Sequence, residues 1–286
     1  MTVAFPAWIF PALAAVLGAL WGSFLNVVIV RLPRGESVVS PGSHCIACGA
    51  AVRPYDNIPI FSYLWLRGRC RSCGARFSAR YAIVELLMAL LALWLELRFG
   101  PSLAAAGFFV FCALLVAIAF IDADHWIIPH ELSWSGIALG LLFSPLNPRA
   151  HPIDAALGAG LAWAAFTILA WLGERIFKKE ALGLGDRWLL ALEGAFLGYQ
   201  ALLPLIFLSS LQGSLVGLGL IAAGKAQTGE APPAEAQAPE GEESWVPPKN
   251  ALPFGPFLAV AGIELLFIGP ALMRGYEAWV GRLLQR

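Results

Sequence analysis

Residues 102–121 read SLAAAGFFVFCALLVAIAFI, and residues 122–129, which follow directly, read DADHWIIP. An uncharged apolar run of this length is long enough to cross the roughly 30 Å hydrocarbon core of a bilayer as one α-helix. The stretch therefore predicts a transmembrane helix that ends just before Asp122. An ionisable group at such a position is costly, so Asp122 is a candidate functional residue.

The composition of the whole chain indicates an integral membrane protein. Of its 286 residues, 59% are hydrophobic and 13% are charged, whereas a typical soluble domain carries about 25% charged residues. The net charge of zero gives no reason to expect a nucleic-acid partner, and no cleavable signal peptide is evident. We predict an all-α polytopic membrane protein with about eight transmembrane helices, at residues 7–30, 82–98, 102–121, 132–147, 153–174, 187–200, 202–223 and 252–273.

Two polar insertions interrupt the apolar spans. Residues 31–80 contain four of the five cysteines, and residues 225–251 are rich in Ala, Pro and Glu without apolar periodicity. The second insertion cannot bury enough apolar surface to order itself, so it is predicted to be a disordered cytoplasmic loop. The chain is thus divided into a first transmembrane helix (1–30), a cysteine-containing insertion (31–80) and a helical membrane domain (81–286).

The distribution of Lys and Arg predicts the orientation. With eight spans and an outside N-terminus, fourteen of the nineteen basic residues fall in inside loops, including all those of residues 31–80 and Lys178, Lys179, Lys225 and Lys249. The positive-inside rule then places residues 31–80 in the cytoplasm. It also places Asp122, at the end of the third span, and Asp186, at the start of the sixth, on that same face.

The cysteines of the insertion follow a metal-binding pattern. Cys45 and Cys48 form one C-x2-C pair, and Cys70 and Cys73 form another, with 21 residues between the two pairs. This spacing is typical of a zinc ribbon, in which four thiolates hold a structural Zn²⁺ in a closed tetrahedral site. Two disulfides are the alternative, but a cytoplasmic loop would keep them reduced. Cys112, inside an apolar span, is interpreted as a small apolar core residue.

Asp186 is preceded by two glycines, in the sequence Gly183-Leu184-Gly185-Asp186. Glycines permit a sharp turn and close approach of an extended substrate, although a helix start with Asp as N-cap fits the same motif. Together with Asp122 on the same face, the motif favours an aspartyl dyad. Two carboxyl groups about 3 Å apart share one proton, so that one can activate water while the other polarises a scissile carbonyl.

Short motifs from the first predicted span to the last support a family resemblance. Besides the four cysteines, they are residues 22–29, 31–33, 56–60, 67–71, 80–81 with 84–87, 122–129, 183–186, 194–198 and 253–258. In these motifs, and over nearly its whole length, the chain resembles the type IV prepilin peptidases of bacterial type IV pili and type II secretion.

The resemblance implies an intramembrane aspartyl endopeptidase of the bacterial inner membrane. Its catalytic pair falls on Asp122 and Asp186, with Gly183, Gly185 and Pro129 shaping the site. Such enzymes cut a short basic leader from prepilins or pseudopilins at the cytoplasmic face, typically after Gly. Many members also methylate the new N-terminus with S-adenosylmethionine, an activity associated with the cysteine-containing region, but the resemblance does not locate its binding residues.

The chain departs from the family pattern at three positions around the site. Trp188 replaces a Lys that usually follows the second Asp by two residues, and His130 replaces an acid or amide. Glu193 stands where a small or apolar residue is usual. Trp188 is therefore a predicted site-shaping residue that brings no positive charge to Asp186.

Two other function classes fit the same residues. In a proton-coupled transporter the two Asp would carry protons, but such acids lie near the bilayer midplane, often within inverted repeats. The predicted Asp lie at span ends, and no repeat is evident. An inactive paralogue that acts as an assembly scaffold is the second alternative.

Overall fold

The computed structural model describes residues 6–177, 183, 185–223 and 252–284, and in these ranges it contains helices and no β-strand. The predicted all-α class is confirmed. The predicted loop 225–251 and Lys178, Lys179, Lys225 and Lys249 lie outside the described residues. The α-helices are α1 (Ile9–Arg31), α2 (Phe61–Trp65), α3 (Arg80–Phe99), α4 (Leu103–His125), α5 (His130–Phe143), α6 (Pro152–Phe177), α7 (Asp186–Leu197), α8 (Leu202–Ala222) and α9 (Gly255–Leu284).

Five of the described helices are long and apolar enough to cross a membrane: α1, α4, α6, α8 and the first part of α9. The chain is therefore a multi-pass membrane protein. The eight longer helices match the eight apolar spans in order, but α7 has only 12 residues. At 1.5 Å per residue it extends about 18 Å, which is less than the hydrocarbon core. A total of eight spans stays a prediction.

The chain forms two compact units, and each is described by itself. The first contains residues 1–117 and 146–148, and the second contains residues 118–145 and 149–286. The predicted division at residues 30 and 80 stays a prediction.

In the first unit, α1 packs closely along α3 because two glycines of α1 face it. A Cβ on Gly18 would lie 2.7 Å from the Cβ of Ala92, and one on Gly22 would lie 2.7 Å from the Cα of Glu85. The glycines are four residues apart, so they lie on one helix face and let the backbones approach, as small residues do between membrane helices.

The cysteine-containing insertion of the first unit is built from two similar tight turns. The amide of Gly49 donates to the carbonyl of Cys45, and the amide of Gly74 donates in the same way to that of Cys70. Both glycines have positive φ, +70° and +72°, a conformation that other residues adopt only with strain. The Gly after each C-x2-C pair is therefore what allows the chain to turn back at that point.

In the second unit, α7 is the central helix, with α5, α6 and α9 packed against it. Every residue from Leu189 to Leu197 is buried. Backbone contact between α6 and α7 is possible because Gly158 and Gly194 meet without side chains. This packing fixes the position of Asp186, the first residue of α7.

Glu193 on α7 is a fully buried acid, and neither of its carboxyl oxygens has a hydrogen-bond partner among the described residues. An unsatisfied buried polar group costs about 1–3 kcal/mol. We therefore expect Glu193→Leu, which is similar in size and apolar, to raise the midpoint of thermal unfolding in detergent by several degrees.

Intrinsic fluorescence during heating measures this midpoint. Glu174→Leu, on the exposed surface of α6, is the matched control and should leave it nearly unchanged. A lower midpoint for Glu193→Leu would show that the carboxyl group has a stabilising partner.

Candidate functional site

Asp122 lies in the last turn of α4 and is 6% exposed. The helix ends just after it, where the amide of Trp126 donates to the carbonyl of Asp122 at 2.9 Å and Trp126 itself adopts a φ of +59°. A left-handed residue is a common way to end a helix. Pro129 is buried and forms the N-terminal boundary of α5. The stretch 122–129 is thus a sharp connection that holds Asp122 at a helix end.

The first residue of α9 fixes one oxygen of the Asp122 carboxylate. The backbone N–H of Gly255 donates to Oδ2 of Asp122 at 3.0 Å. A Cβ on Gly255 would lie 2.6 Å from the same oxygen, a distance that real Cβ atoms do not show. Only glycine at this position allows the backbone to bind the carboxylate so closely.

Asp186 is the first residue of α7 and is 8% exposed. Its amide donates to the carbonyl of Gly183 at 3.1 Å, which closes a tight turn. A Cβ on Gly183 would lie 3.0 Å from Oδ2 of Asp186, and one on Gly185 would lie 2.8 Å from Cβ of Ile128. Both glycines therefore provide space, Gly183 beside the carboxyl group and Gly185 beside the chain that follows Asp122.

The two carboxyl groups lie close enough for the negative charge of Asp122 to act on Asp186. Burial, together with the negative charge of Asp122, raises the pKa of Asp186 to about 7. Asp186 lies just outside the membrane span predicted at residues 187–200. Near neutral pH the site can therefore hold one carboxylate and one carboxylic acid, which is the protonation state that a pair of acids needs for acid–base chemistry.

Two residues of this site, Gly255 and Ile128, were not predicted as site residues. A Cβ on Gly255 would lie 3.3 Å from Cδ1 of Ile128, so Ile128 fills the space between Gly185 and Gly255. Both belong to motifs noted in the sequence, at 122–129 and 253–258. The available signal was the glycine between Phe254 and Pro256, but no residue type in that motif indicates a contact with a carboxylate.

Trp188 lies among aromatic rings. Its ring centroid is 5.6 Å from that of Trp134 on α5, 6.0 Å from that of Trp163 on α6 and 6.4 Å from that of His130. Positions two apart on a helix point to nearly opposite sides, so Trp188 and Asp186 use different faces of α7. A site-shaping role of Trp188 stays a prediction.

The four cysteines of the insertion form a candidate metal centre. Their sulfur atoms lie within 4.8 Å of one another, and Sγ of Cys45 is 3.8 Å from Sγ of Cys73. Thiolates bound at 2.3 Å around a tetrahedral ion are about 3.8 Å apart. No disulfide joins the five cysteines. The cluster can therefore hold a metal ion, and Cys112 is buried in α4 as predicted.

Comparison with known proteins gives a consistent result along the chain. Residues 16–99 match the model of the bacterial peptidase A24 N-terminal domain, and residues 109–218 match that of the type IV leader peptidase family. No solved structure gives a significant match.

Curated relatives carry the name prepilin leader peptidase/N-methyltransferase. The protein of Myxococcus xanthus is 39% identical to this chain, with 96% of this chain and 95% of the relative covered. The proteins of Aeromonas hydrophila and Pseudomonas aeruginosa are each 34% identical, and the matches cover 94% and 93% of this chain and 94% and 92% of the relatives. With these matches over nearly the full length, the chain belongs to the type IV leader peptidase family.

Proposed function

We propose that this protein cleaves the basic leader from type IV prepilins or pseudopilins, with Asp122 and Asp186 as the catalytic pair. The observation that carries the proposal is the placement of two buried carboxyl groups at helix ends, with the charge of Asp122 acting on Asp186. The names of the curated relatives support the substrate class.

The arrangement of the pair supports peptide hydrolysis by general acid–base catalysis. The ionised carboxyl group removes a proton from water, which attacks the scissile carbonyl carbon, while the protonated one donates a hydrogen bond to the carbonyl oxygen. The Gly255 N–H fixes one oxygen of Asp122 during this step. Gly183 leaves room beside Asp186 for an extended substrate backbone. Because the two acids titrate as a unit, the roles are assigned to the pair.

The location follows from the charge distribution. Basic residues are concentrated in residues 31–80, so that region lies in the cytoplasm by the positive-inside rule. Asp122 and Asp186 then lie at the cytoplasmic face of the bacterial inner membrane. The leaders of prepilins are basic, and the cytoplasmic face is the side of the membrane on which basic segments remain.

Two further components complete the proposal. Zn²⁺ bound by Cys45, Cys48, Cys70 and Cys73 would stabilise an insertion that is too small to fold around its own apolar core. S-adenosylmethionine would supply the methyl group for the new N-terminus, as the names of the relatives suggest.

A cleavage assay tests the proposed function. Purified protein in liposomes is incubated with a prepilin, with and without S-adenosylmethionine, and the products are identified by mass spectrometry. We expect loss of the leader in both samples and a gain of one methyl group on the mature N-terminus only when S-adenosylmethionine is present. An intact prepilin in both samples would contradict the proposal.

Gly255 should be essential for this activity although it has no side chain. In Gly255→Ala the new Cβ would meet Oδ2 of Asp122 at 2.6 Å, so the carboxylate must move away from the backbone N–H. We expect cleavage to fall by about 10²-fold, as for a small displacement of a catalytic group. Gly269→Ala on the same helix, where a Cβ would meet nothing within 4 Å, is the matched control and should retain wild-type activity. Equal rates for the two variants would contradict the role of Gly255.

A further inference from the structure

A cavity of about 300 Å³, lined by both polar and apolar residues, lies within the first unit, where the C-terminal part of α1 and the N-terminal part of α3 meet the cysteine-containing insertion. Its volume is at the lower end of the range for small-molecule sites. None of its lining residues belongs to the carboxyl pair, and the proposed cleavage reaction makes no use of it.

The cavity contains a buried hydrogen-bond acceptor that has no partner among the described residues. Asn26 lines the cavity and is 3% exposed. Its Nδ2 donates to the carbonyl oxygens of Gly22 and Tyr81 at 3.2 and 3.0 Å, whereas its Oδ1 accepts no hydrogen bond. Leaving a buried acceptor unsatisfied is unfavourable, so a ligand that donates a hydrogen bond here would be stabilised.

The lining carries charges of both signs that the fold does not fully neutralise. The guanidinium of Arg31 is bound by the carbonyls of Ser37, Pro41 and Gly42, and Asp56 pairs with Arg71. Arg34, Arg69 and Glu36 are exposed at the cavity. The carboxylate of Glu85 accepts hydrogen bonds from the amide of Ile60, at 2.7 Å, and from the side chain of Ser23.

Apolar and aromatic side chains form the remaining walls. Such surfaces bind the flat face of a heterocyclic base. They include Val27, Val30, Leu66, Phe77 and Tyr81.

We infer that this cavity is the binding site for S-adenosylmethionine, an inference that rests on the proposed methyl transfer. The chemistry of the lining matches that molecule. The adenine amino group is a donor for Oδ1 of Asn26, and the carboxylate suits Arg34. The ammonium and sulfonium cations suit Glu36 and Glu85. A basic leader peptide fits less well because the lining also carries the exposed cations of Arg34 and Arg69.

When bound, S-adenosylmethionine supplies its methyl group. The lone pair of the N-terminal amine forms the N–CH3 bond, and the S–CH3 bond breaks with its electrons retained by sulfur. The nitrogen then releases a proton to water. The residues of the cavity bind the donor and balance its charges, and no covalent enzyme intermediate is required.

Filling the cavity tests this inference. Val30 lines it from α1, and Val16 lies on the exposed surface of the same helix, so Val30→Trp and Val16→Trp form a matched pair. Equilibrium binding of radiolabelled S-adenosylmethionine to the purified full chain is measured together with methylation and leader cleavage. We expect Val30→Trp to lose binding and methylation by more than about tenfold while it still cleaves, and Val16→Trp to behave as wild type.

Arg34→Gln and Glu36→Gln provide a second test that does not depend on packing, because both side chains are exposed. Each should weaken binding roughly tenfold through the loss of a charged interaction. Arg76 is an exposed residue of the same insertion that does not line the cavity. Arg76→Gln is therefore the matched control and should not weaken binding.

The outcomes separate the two proposals. Wild-type affinity in Val30→Trp, Arg34→Gln and Glu36→Gln would overturn the cavity assignment while leaving the methyltransferase function intact. A raised KM for prepilin with unchanged S-adenosylmethionine binding would assign the cavity to the substrate leader instead. A wild-type protein that cleaves but neither binds S-adenosylmethionine nor methylates would remove the methyltransferase part of the proposed function, and the cavity assignment with it.

Discussion

Replacing either Asp122 or Asp186 with Asn is expected to lower the rate of leader cleavage by about 10²–10⁴-fold, the usual contribution of a general acid or base. Asn keeps the size of the side chain but can neither ionise nor release a proton. Both residues are buried at helix ends, and the substitution should preserve the fold because Asn and Asp have nearly the same shape. Cleavage of a prepilin by purified variants in liposomes, followed by mass spectrometry, measures the effect.

The double variant makes this prediction sharper. In the proposed mechanism the two carboxyl groups act as one unit, so Asp122→Asn combined with Asp186→Asn should be no slower than the slower single variant. Asp124→Asn is the matched control, since Asp124 lies on α4 two residues from Asp122 and is exposed. It should retain most of the wild-type rate. Cleavage that survives in both single variants would remove the dyad from the mechanism.

Loss of the metal centre is expected to unfold the cysteine-containing insertion. The described helices there are short, with α2 having five residues, and the turns at Gly49 and Gly74 bring the four sulfur atoms together. A structural Zn²⁺ contributes folding free energy directly. We expect one Zn²⁺ per chain in the wild type, none in Cys45→Ser, and rapid proteolysis within residues 31–80 in that variant.

Elemental analysis and limited proteolysis measure these two effects. Cys112→Ala is the matched control, because Cys112 is a buried cysteine of α4 outside the cluster, and it should retain the metal. The same loss of order should abolish binding of S-adenosylmethionine, since residues of the insertion line the cavity. A Cys45→Ser variant that keeps its metal and resists protease would contradict the structural role.

The fold class and the family could be predicted from the sequence because their signals are local. Apolar runs predict helices, and both C-x2-C pairs predict a cluster that the structure brings together. The signal of Asp122 and Asp186 is also local, since each interrupts or borders an apolar run. Their mutual proximity is predicted from their shared membrane face and from the family resemblance.

The backbone contacts of the site could not be predicted in the same way. Gly255 is 133 residues from Asp122, and its role depends on a missing side chain and a backbone N–H, neither of which has a sequence signature. In the sequence, Ile128 is an apolar residue before Pro129, and nothing there indicates that it packs between Gly185 and Gly255. Likewise, α7 is buried in its unit because Gly158 and Gly194 allow the backbones of α6 and α7 to meet. Two glycines 36 residues apart in the sequence do not indicate such a contact.

The pH dependence of leader cleavage tests most directly whether the two acids share one proton. Burial and Asp122 raise the pKa of Asp186 to about 7, so the pair holds one proton just below that pH and loses it above. Activity that requires one acid and one carboxylate must therefore fall as the pH rises through about 7, and must fall again in acid when both are protonated. We predict a bell-shaped profile of kcat with its alkaline limb near pH 7. A rate that stays level or increases from pH 7 to about 9 would contradict the shared proton.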